Sequence, residues 1–287
     1  MIDRIVVRFL PRPPRAVVRR FARQYSAGPS LEDGCRLAAS LNARGLPIAL
    51  GLLGEDAHEP AETRAYAGAY RQALVAIADR GLDATLSVKL SALGLGFDEE
   101  LCFEQLLSIV ENAAGEGSAI FVDMERSQAT DATLRLYRRL RERGFENLVL
   151  SLQARLRRTL DDIRELAPLE PRVSLCKGAY AAPPETVYAS AEEVGGGFLQ
   201  ALELLLESAS FLGIATSDRV LVAAARKALA ASGRARERYE FELLLGSTRG
   251  LDEDLLRAGE PLRIYVPYGL GWYDYTLRRY RRDRGQR

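Results

Sequence analysis

A chain of 287 residues with 47% apolar content can bury a large core, and 40 Lys and Arg against 39 Asp and Glu leave a net charge of only +1. That balance supplies no global field for nucleic acid. The single histidine, His58, nearly excludes zinc or iron sites built from imidazoles, and three scattered cysteines (Cys35, Cys102, Cys176) suit a reducing cytoplasm without a disulfide framework.

The first stretch, MIDRIVVRFLPRPPRAVVRR, is basic but lacks the apolar core and cleavage signal of a secretory peptide. It reads as a leading segment followed by a helix, with a transit peptide as the other reading. No apolar run reaches the length needed to cross a membrane. From residue 46 onward, short β-rich runs alternate with longer helical ones. The predicted strands are LPIALGL (46–52), ATLSVKL (84–90), SAIFVD (118–123), NLVLSL (147–152), RVSLC (172–176), LGIAT (212–216), YEFELL (239–244) and LRIYVP (262–267). EDGCRLAASLNARG before the first of them, and AYAGAYRQALVAIADRG and TLRLYRRLRERG between later ones, carry helical patterns and end in Gly, a helix-stop signal. Many of the strands are continuously apolar, as in a parallel sheet covered by helices. Eight β–α units in about 240 residues predict an α/β fold, a (β/α)8 TIM-like barrel with extra N-terminal helices. The rival is an open doubly wound sheet. No Gly-rich dinucleotide fingerprint follows any strand, there is no P-loop, and the GGG at 195–197 lies in a helical or loop region. Nor does any low-complexity linker divide the chain. The expectation is one barrel domain over 1–287, with 1–44 as an N-terminal helical segment and 45–287 as barrel and C-terminal helix.

In such a barrel the chemistry sits at the C-terminal ends of the strands. Taken in order, those ends offer Glu55, Lys89, Asp123 and Glu125, Gln153 and Arg155, Lys177 and Tyr180, Thr216 and Asp218, then Glu240 and Glu242. Lys89 and Asp123 stand within apolar runs, where a charge costs several kcal/mol unless paired. A structural ion pair in the barrel mouth would explain them equally well. After the last strand, YVPYGLGWYDYTLRRY (265–280) sets Tyr275, Arg278 and Arg279 on one helix face. Guanidinium forks match a carboxylate. Yet Arg281, Arg282, Arg284 and Arg287 follow, and spacing alone favours a solvated basic face.

The ordered set LLGE, SVKLSALGLG, VDMERS, LQARLRRT, SLCKGAYAAPP, LGIATSD, YEFELLLG and YVPYGLGWYDYTLRRY resembles the proline dehydrogenase family, most of all its small bacterial monofunctional type, from about residue 30 to 282. KGAY and the closing YVPYG…WY.Y..RR are the specific parts. The resemblance implies a distorted (β/α)8 barrel that holds FAD at the strand C-termini, oxidises L-proline to 1-pyrroline-5-carboxylate and passes the electrons to a quinone. It places Arg278 and Arg279 on the substrate carboxylate, Tyr275 over the substrate ring and Lys89 beside substrate and flavin. Glu55 would pair with Arg278 as a gate, so that Lys89, Arg278 and Glu55 form the catalytic set. Asp123, Gln153, Lys177, Gly178 and Ala179 match positions that hold or approach FAD. Thr216 matches a pyrophosphate contact, and Glu240 lies in the matching strand-seven motif. No metal is implied. The implied partners are proline or an analogue and a quinone or other electron acceptor. The location would be cytoplasmic, with peripheral contact at the inner membrane left open. The chemistry needs a neutral substrate amine, which the positive charge of Lys89 and the arginines would favour.

The chain also departs from the family pattern. Ser174 stands where the family has an arginine that donates to flavin N5, and Ser217 where it has a phosphate-facing histidine. Gly51 replaces the aspartate before LGE, Arg126 an acid, Arg155 a tyrosine and Glu242 a glutamine, and Ser91-Ala92 replace a threonine-glutamine pair. The substrate clamp is kept while the flavin bed is altered. Besides an ordinary proline dehydrogenase, this leaves a relative acting on another amino acid and a flavin-free barrel that binds an amino acid without redox chemistry.

Overall fold

The computed structural model describes residues 12–54, 56–246 and 250–285, with side chains to residue 282; Glu55 lies outside the described residues. Two helices, α1 (Arg15–Ala22) and α2 (Leu31–Asn42), lead into β1 (Ile48–Leu52). Next come α3 (Pro60–Asp79), β2 (Ala84–Val88), α4 (Glu99–Gly115), β3 (Ile120–Val122), α5 (Thr130–Glu142), β4 (Leu148–Gln153) and α6 (Thr159–Leu166). Then follow β5 (Arg172–Cys176), α7 (Ala191–Ser208), β6 (Phe211–Ala215), α8 (Arg219–Ser232), β7 (Tyr239–Leu244), α9 (Leu251–Arg257), β8 (Leu262–Tyr268) and α10 (Trp272–Gly285). The strands form a closed barrel in chain order, and β1 seals it against β8 in parallel register from Ile48↔Ile264 to Leu52↔Tyr268. The open doubly wound sheet is thereby excluded.

Local signals explain where elements begin and stop. Ser30 with Asp33, and Ser190 with Glu193, form capping boxes at the starts of α2 and α7. Asp218 caps α8, which ends on Gly233 in the left-handed region. The GGG run lies inside α7. Gly197 is needed there because a Cβ would come within 2.6 Å of the Tyr188 ring. Three strands are shorter than the sequence suggests, β1 by its first two residues. β2 stops at Val88 because Lys89 N–H donates to the Tyr70 phenol rather than to the sheet, and β3 ends at Val122. Lys89 and Asp123 thus stand just past their strands.

Strand side chains alternate between two environments. One set, including Ile48, Leu50, Val88, Ile120, Leu150, Val173, Ile214, Phe241 and Val266, is buried against the surrounding helices. The other set faces into the barrel. Branched apolar residues usually fill this space, but here it holds Ser87, Ser174, Arg263, Glu240, Glu242 and Tyr265. Deep in it, Arg263 Nε donates to Glu240 Oε1 at 2.6 Å and Nη1 to the Ile48 carbonyl at 3.1 Å. Arg172 lies over the Phe211 ring.

Small residues make room for large ones in this interior. A Cβ on Gly51 would fall 2.2 Å from the Tyr265 hydroxyl. Gly51→Ala is therefore expected to destabilise the protein by about 1–3 kcal/mol, and Tyr265→Leu in the same chain to return most of that loss. Chemical denaturation of the two single variants and the double variant measures the coupling; additive losses would separate Gly51 from Tyr265.

The N-terminal helix braces the C-terminal one. Val18 and Tyr25 pack with Tyr273, Leu277 and Tyr280 in a small apolar cluster, and the Tyr273 hydroxyl donates to the Pro13 carbonyl. Ala27 N–H donates to Pro267 O at 2.8 Å and Gly269 N–H to Gly28 O at 2.9 Å, which ties the same segment to the turn before α10.

Candidate active site at the barrel mouth

Lys89 is only 6% exposed. Its Nζ lies 3.7 Å from Asp123 Oδ2, and Ser87 Oγ donates to Asp123 Oδ1 at 2.7 Å. Burial disfavours the ammonium, but Tyr265, Asp123, Tyr70 and Tyr180 around it outweigh burial and hold its pKa well above the ordinary value. Lys89 is therefore charged at neutral pH. Tyr265 connects this centre to α10, being within electrostatic reach of both Lys89 and Tyr275. On α10, Arg279 is 6% exposed, and its Nη1 donates to the Tyr275 hydroxyl at 3.2 Å. The same guanidinium stands 5.5 Å from the Tyr25 ring centroid and 6.0 Å from that of Tyr275. Arg278, its neighbour, is exposed. The expected contact of Arg278 with Glu55 involves a residue outside the described set.

The other half of the mouth is built by the turns after β3 to β6. Gln153 is buried and its amide nitrogen donates to the carbonyls of Met124 and Glu125 at 3.3 and 2.7 Å. Glu125 in turn accepts from Ser91 N–H and Oγ at 2.9 and 2.7 Å, and burial raises its pKa despite those bonds. Lys177 Nζ lies 3.0 Å from Asp218 Oδ2. Burial works against the Asp218 carboxylate, but Lys177 and the N–H groups of α8 together keep its pKa below the usual value. Thr216 Oγ1 accepts from Asp218 N–H at 3.2 Å. Gly178 takes φ +94°, and a Cβ there would lie 2.7 Å from Arg155 Cγ and 2.8 Å from Gln153 Oε1. Ala179 follows it, exposed, and Arg155 Nη1 donates to Tyr180 O at 3.0 Å. Arg126 forms a two-pronged pair with Asp56, at 2.7 and 2.5 Å, joining the turn after β3 to the turn after β1. Asp56 has φ +55°, and the Arg126 hydrogen bonds hold its carboxyl below the ordinary pKa.

The mouth therefore gathers Lys89, Asp123, Gln153, Lys177, Gly178, Ala179 and Thr216, with Tyr275 and Arg279 over one side. Glu240 is placed deeper, in its ion pair with Arg263. Tyr70, Ser87, Tyr265 and Tyr25 were not singled out from the sequence. Tyr265 had a usable signal, since it sits on the inward parity of β8 opposite Ala49 and beside Gly51, the small inward residues of β1. Tyr25 had none, because it enters from a segment remote in the chain. Among the described residues, no group of three or more His, Cys, Asp or Glu is placed to share a metal ion, and no helix is long and apolar enough to cross a membrane.

The family described as proline dehydrogenase matches residues 35–279. Proline dehydrogenase 1 of Bacillus subtilis (strain 168) is 32% identical over 258 residues, covering 90% of this chain and 85% of its own. A proline dehydrogenase of Deinococcus radiodurans is 31% identical over 262 residues, covering 90% and 84% respectively. The crystal structure of proline utilization A (PutA) from Bdellovibrio bacteriovorus, inactivated by N-propargylglycine, superposes on 92% of this chain with a TM-score of 0.84 at 19% identity. This chain spans 32% of that longer protein, and the likeness speaks for the fold alone. With a match running from α2 into α10 and two relatives above 30% identity, this chain belongs to the proline dehydrogenase family of oxidoreductases.

Proposed function

We propose that this chain oxidises L-proline to 1-pyrroline-5-carboxylate with FAD and delivers the electrons to a quinone or another acceptor. The observation that carries the reading is the meeting of a buried, charged Lys89 with a pre-oriented Arg279 at one barrel mouth, joined through Tyr265. The reading takes residues 1–287 as a single barrel domain in which the N-terminal segment braces α10. It includes a cytoplasmic location, with contact between protein and membrane only at a surface.

FAD dependence is general in the family, and the mouth fits that group. Gly178 leaves bare backbone where a side chain would fill the space, and the donors around it are amide, ammonium, hydroxyl and backbone N–H. Asp123, Gln153, Lys177, Gly178, Ala179 and Thr216 would hold the cofactor, with Glu240 supporting them from below through Arg263. When bound, FAD supplies the acceptor for the hydride that leaves the carbon beside nitrogen.

The protein's own part is orientation and electrostatics. Arg278 and Arg279 grip the carboxylate, and Tyr275, already bonded to Arg279, packs over the ring. Lys89 excludes water from the inner side and keeps the local potential positive. That potential lowers the pKa of the substrate amine, so proline enters the reactive position unprotonated. Asp123, fixed by Ser87, keeps the Lys89 ammonium in place.

The test is the visible spectrum of the purified protein before and after anaerobic proline. A flavin spectrum that bleaches is the expected result. A stable flavin spectrum would move the substrate to another amino acid, and a colourless protein that refuses added FAD would remove the dehydrogenase reading.

A further inference from the structure

Ser174 on β5 and Glu242 on β7 face the barrel interior with β6 between them. The Glu242 side chain crosses that gap. Its Oε2 lies 2.6 Å from Ser174 Oγ, and a Cβ on Gly213 of β6 would fall 1.7 Å from Oε1. Only glycine at 213 leaves this path open. Oε1 is buried without a hydrogen-bond partner among the described residues. An ionised carboxylate would carry an uncompensated charge there, because Arg263, the guanidinium on the next strand, is already engaged by Glu240 at 2.6 Å.

We propose that Glu242, held across Gly213 against Ser174, is kept as a neutral carboxylic acid, and that this turns the Ser174 hydroxyl proton into the mouth as a hydrogen-bond donor for the cofactor. The proposal rests on the dehydrogenase reading above. Its logic is one of hydrogen-bond direction. As an acid, Glu242 donates to Ser174 Oγ and leaves the serine hydroxyl proton to point into the mouth. As a carboxylate, Glu242 accepts that proton's hydrogen bond and withdraws the donor. Glu242 is then a positioning residue acting through Ser174.

The groups around Glu242 agree. Burial disfavours its ionised form most, Glu240 on the same strand and Asp123 on β3 push the same way, and Arg263 on β8 and the Ser174 bond oppose them. On β5 the half-buried Cys176 thiol is itself pushed up and so carries no charge, while β6 presents only the Gly213 backbone. The net result raises the Glu242 pKa from 4.5 to about 8.

Two measurements on the full chain test this. The first needs no added cofactor. Because the folded pKa lies above the unfolded one, wild-type stability falls as pH rises toward about 8 and then levels off. Glu242→Gln, which puts a permanent amide donor in the same shape, lacks that loss. Its thermal midpoint should gain on the wild type by about 4–5 °C between pH 6 and 8, and by less than about 1 °C more by pH 9. A difference that does not vary with pH would overturn the neutral acid. The second is the FAD dissociation constant against pH, read by flavin fluorescence. Wild type should weaken by about tenfold on passing above pH 8, Glu242→Gln should hold its affinity, and Ser174→Ala should bind weakly throughout. PH-independent wild-type affinity would overturn the donor role while leaving the dehydrogenase reading intact. Failure of every form to take up FAD at any pH would instead overturn that reading, and the donor role with it.

Discussion

Arg279→Ala is expected to raise the KM for proline roughly a hundredfold or more, with a smaller fall in kcat. The size follows from how the guanidinium is held. It is 6% exposed, bonded to the Tyr275 hydroxyl at 3.2 Å, and set near the rings of Tyr25 and Tyr275. Its fork is therefore fixed and largely dehydrated before the carboxylate arrives, which is where a charge-assisted bond is strongest. Arg278 is exposed and more heavily screened, so Arg278→Ala should raise KM by a smaller factor, roughly tenfold. Arg279→Lys should rescue little, because a point charge cannot keep the bidentate geometry. Steady-state kinetics with proline decide the matter, beside a thermal melt to confirm that α10 still packs. A KM for Arg279→Ala within threefold of wild type would remove Arg279 from the carboxylate site.

The contrast between Arg278 and Arg279 marks the limit of what the sequence could show. Spacing from Tyr275 puts both on one broad face, and a basic tail follows them. The brace from the N-terminal segment decides which of the two is buried, since Tyr25, just past α1, comes from more than two hundred residues away. By comparison, the strands were legible to within two residues, because each is a short apolar run with a turn or helix cap beside it. The set of polar strand ends was legible for the same reason. Contacts across the barrel were not. Tyr265 over Gly51 and Glu242 over Gly213 depend on strand register and closure, which no local pattern encodes. The altered positions looked like isolated losses in one dimension. In the fold, Ser174 and Glu242 are one hydrogen-bonded pair, and Arg126 is the partner of Asp56.

Lys89→Met should lower kcat/KM by roughly 10²–10³, the scale seen when one preorganised electrostatic group is removed. Methionine keeps most of the length of the side chain and deletes the charge. The acid limb of the kcat/KM profile should also move to higher pH by about one pH unit, because the substrate amine no longer feels the ammonium and keeps its proton longer. These two effects distinguish catalysis from the alternative that Lys89 and Asp123 are merely a structural pair. Loss of Lys89 also removes the ammonium that stands 3.7 Å from Asp123, while the bond from Ser87 remains. A fully buried carboxylate that loses its ion-pair partner costs about 3–5 kcal/mol, but the Asp123 side chain is 23% exposed, so a loss of about 1–3 kcal/mol is expected. Adding Asp123→Asn removes the carboxylate charge as well and should return most of that stability. It should not return the activity or the position of the acid limb, since the ammonium is still missing. If the double variant recovers both stability and turnover, the pair is structural and the charge beside the substrate must come from the arginines alone.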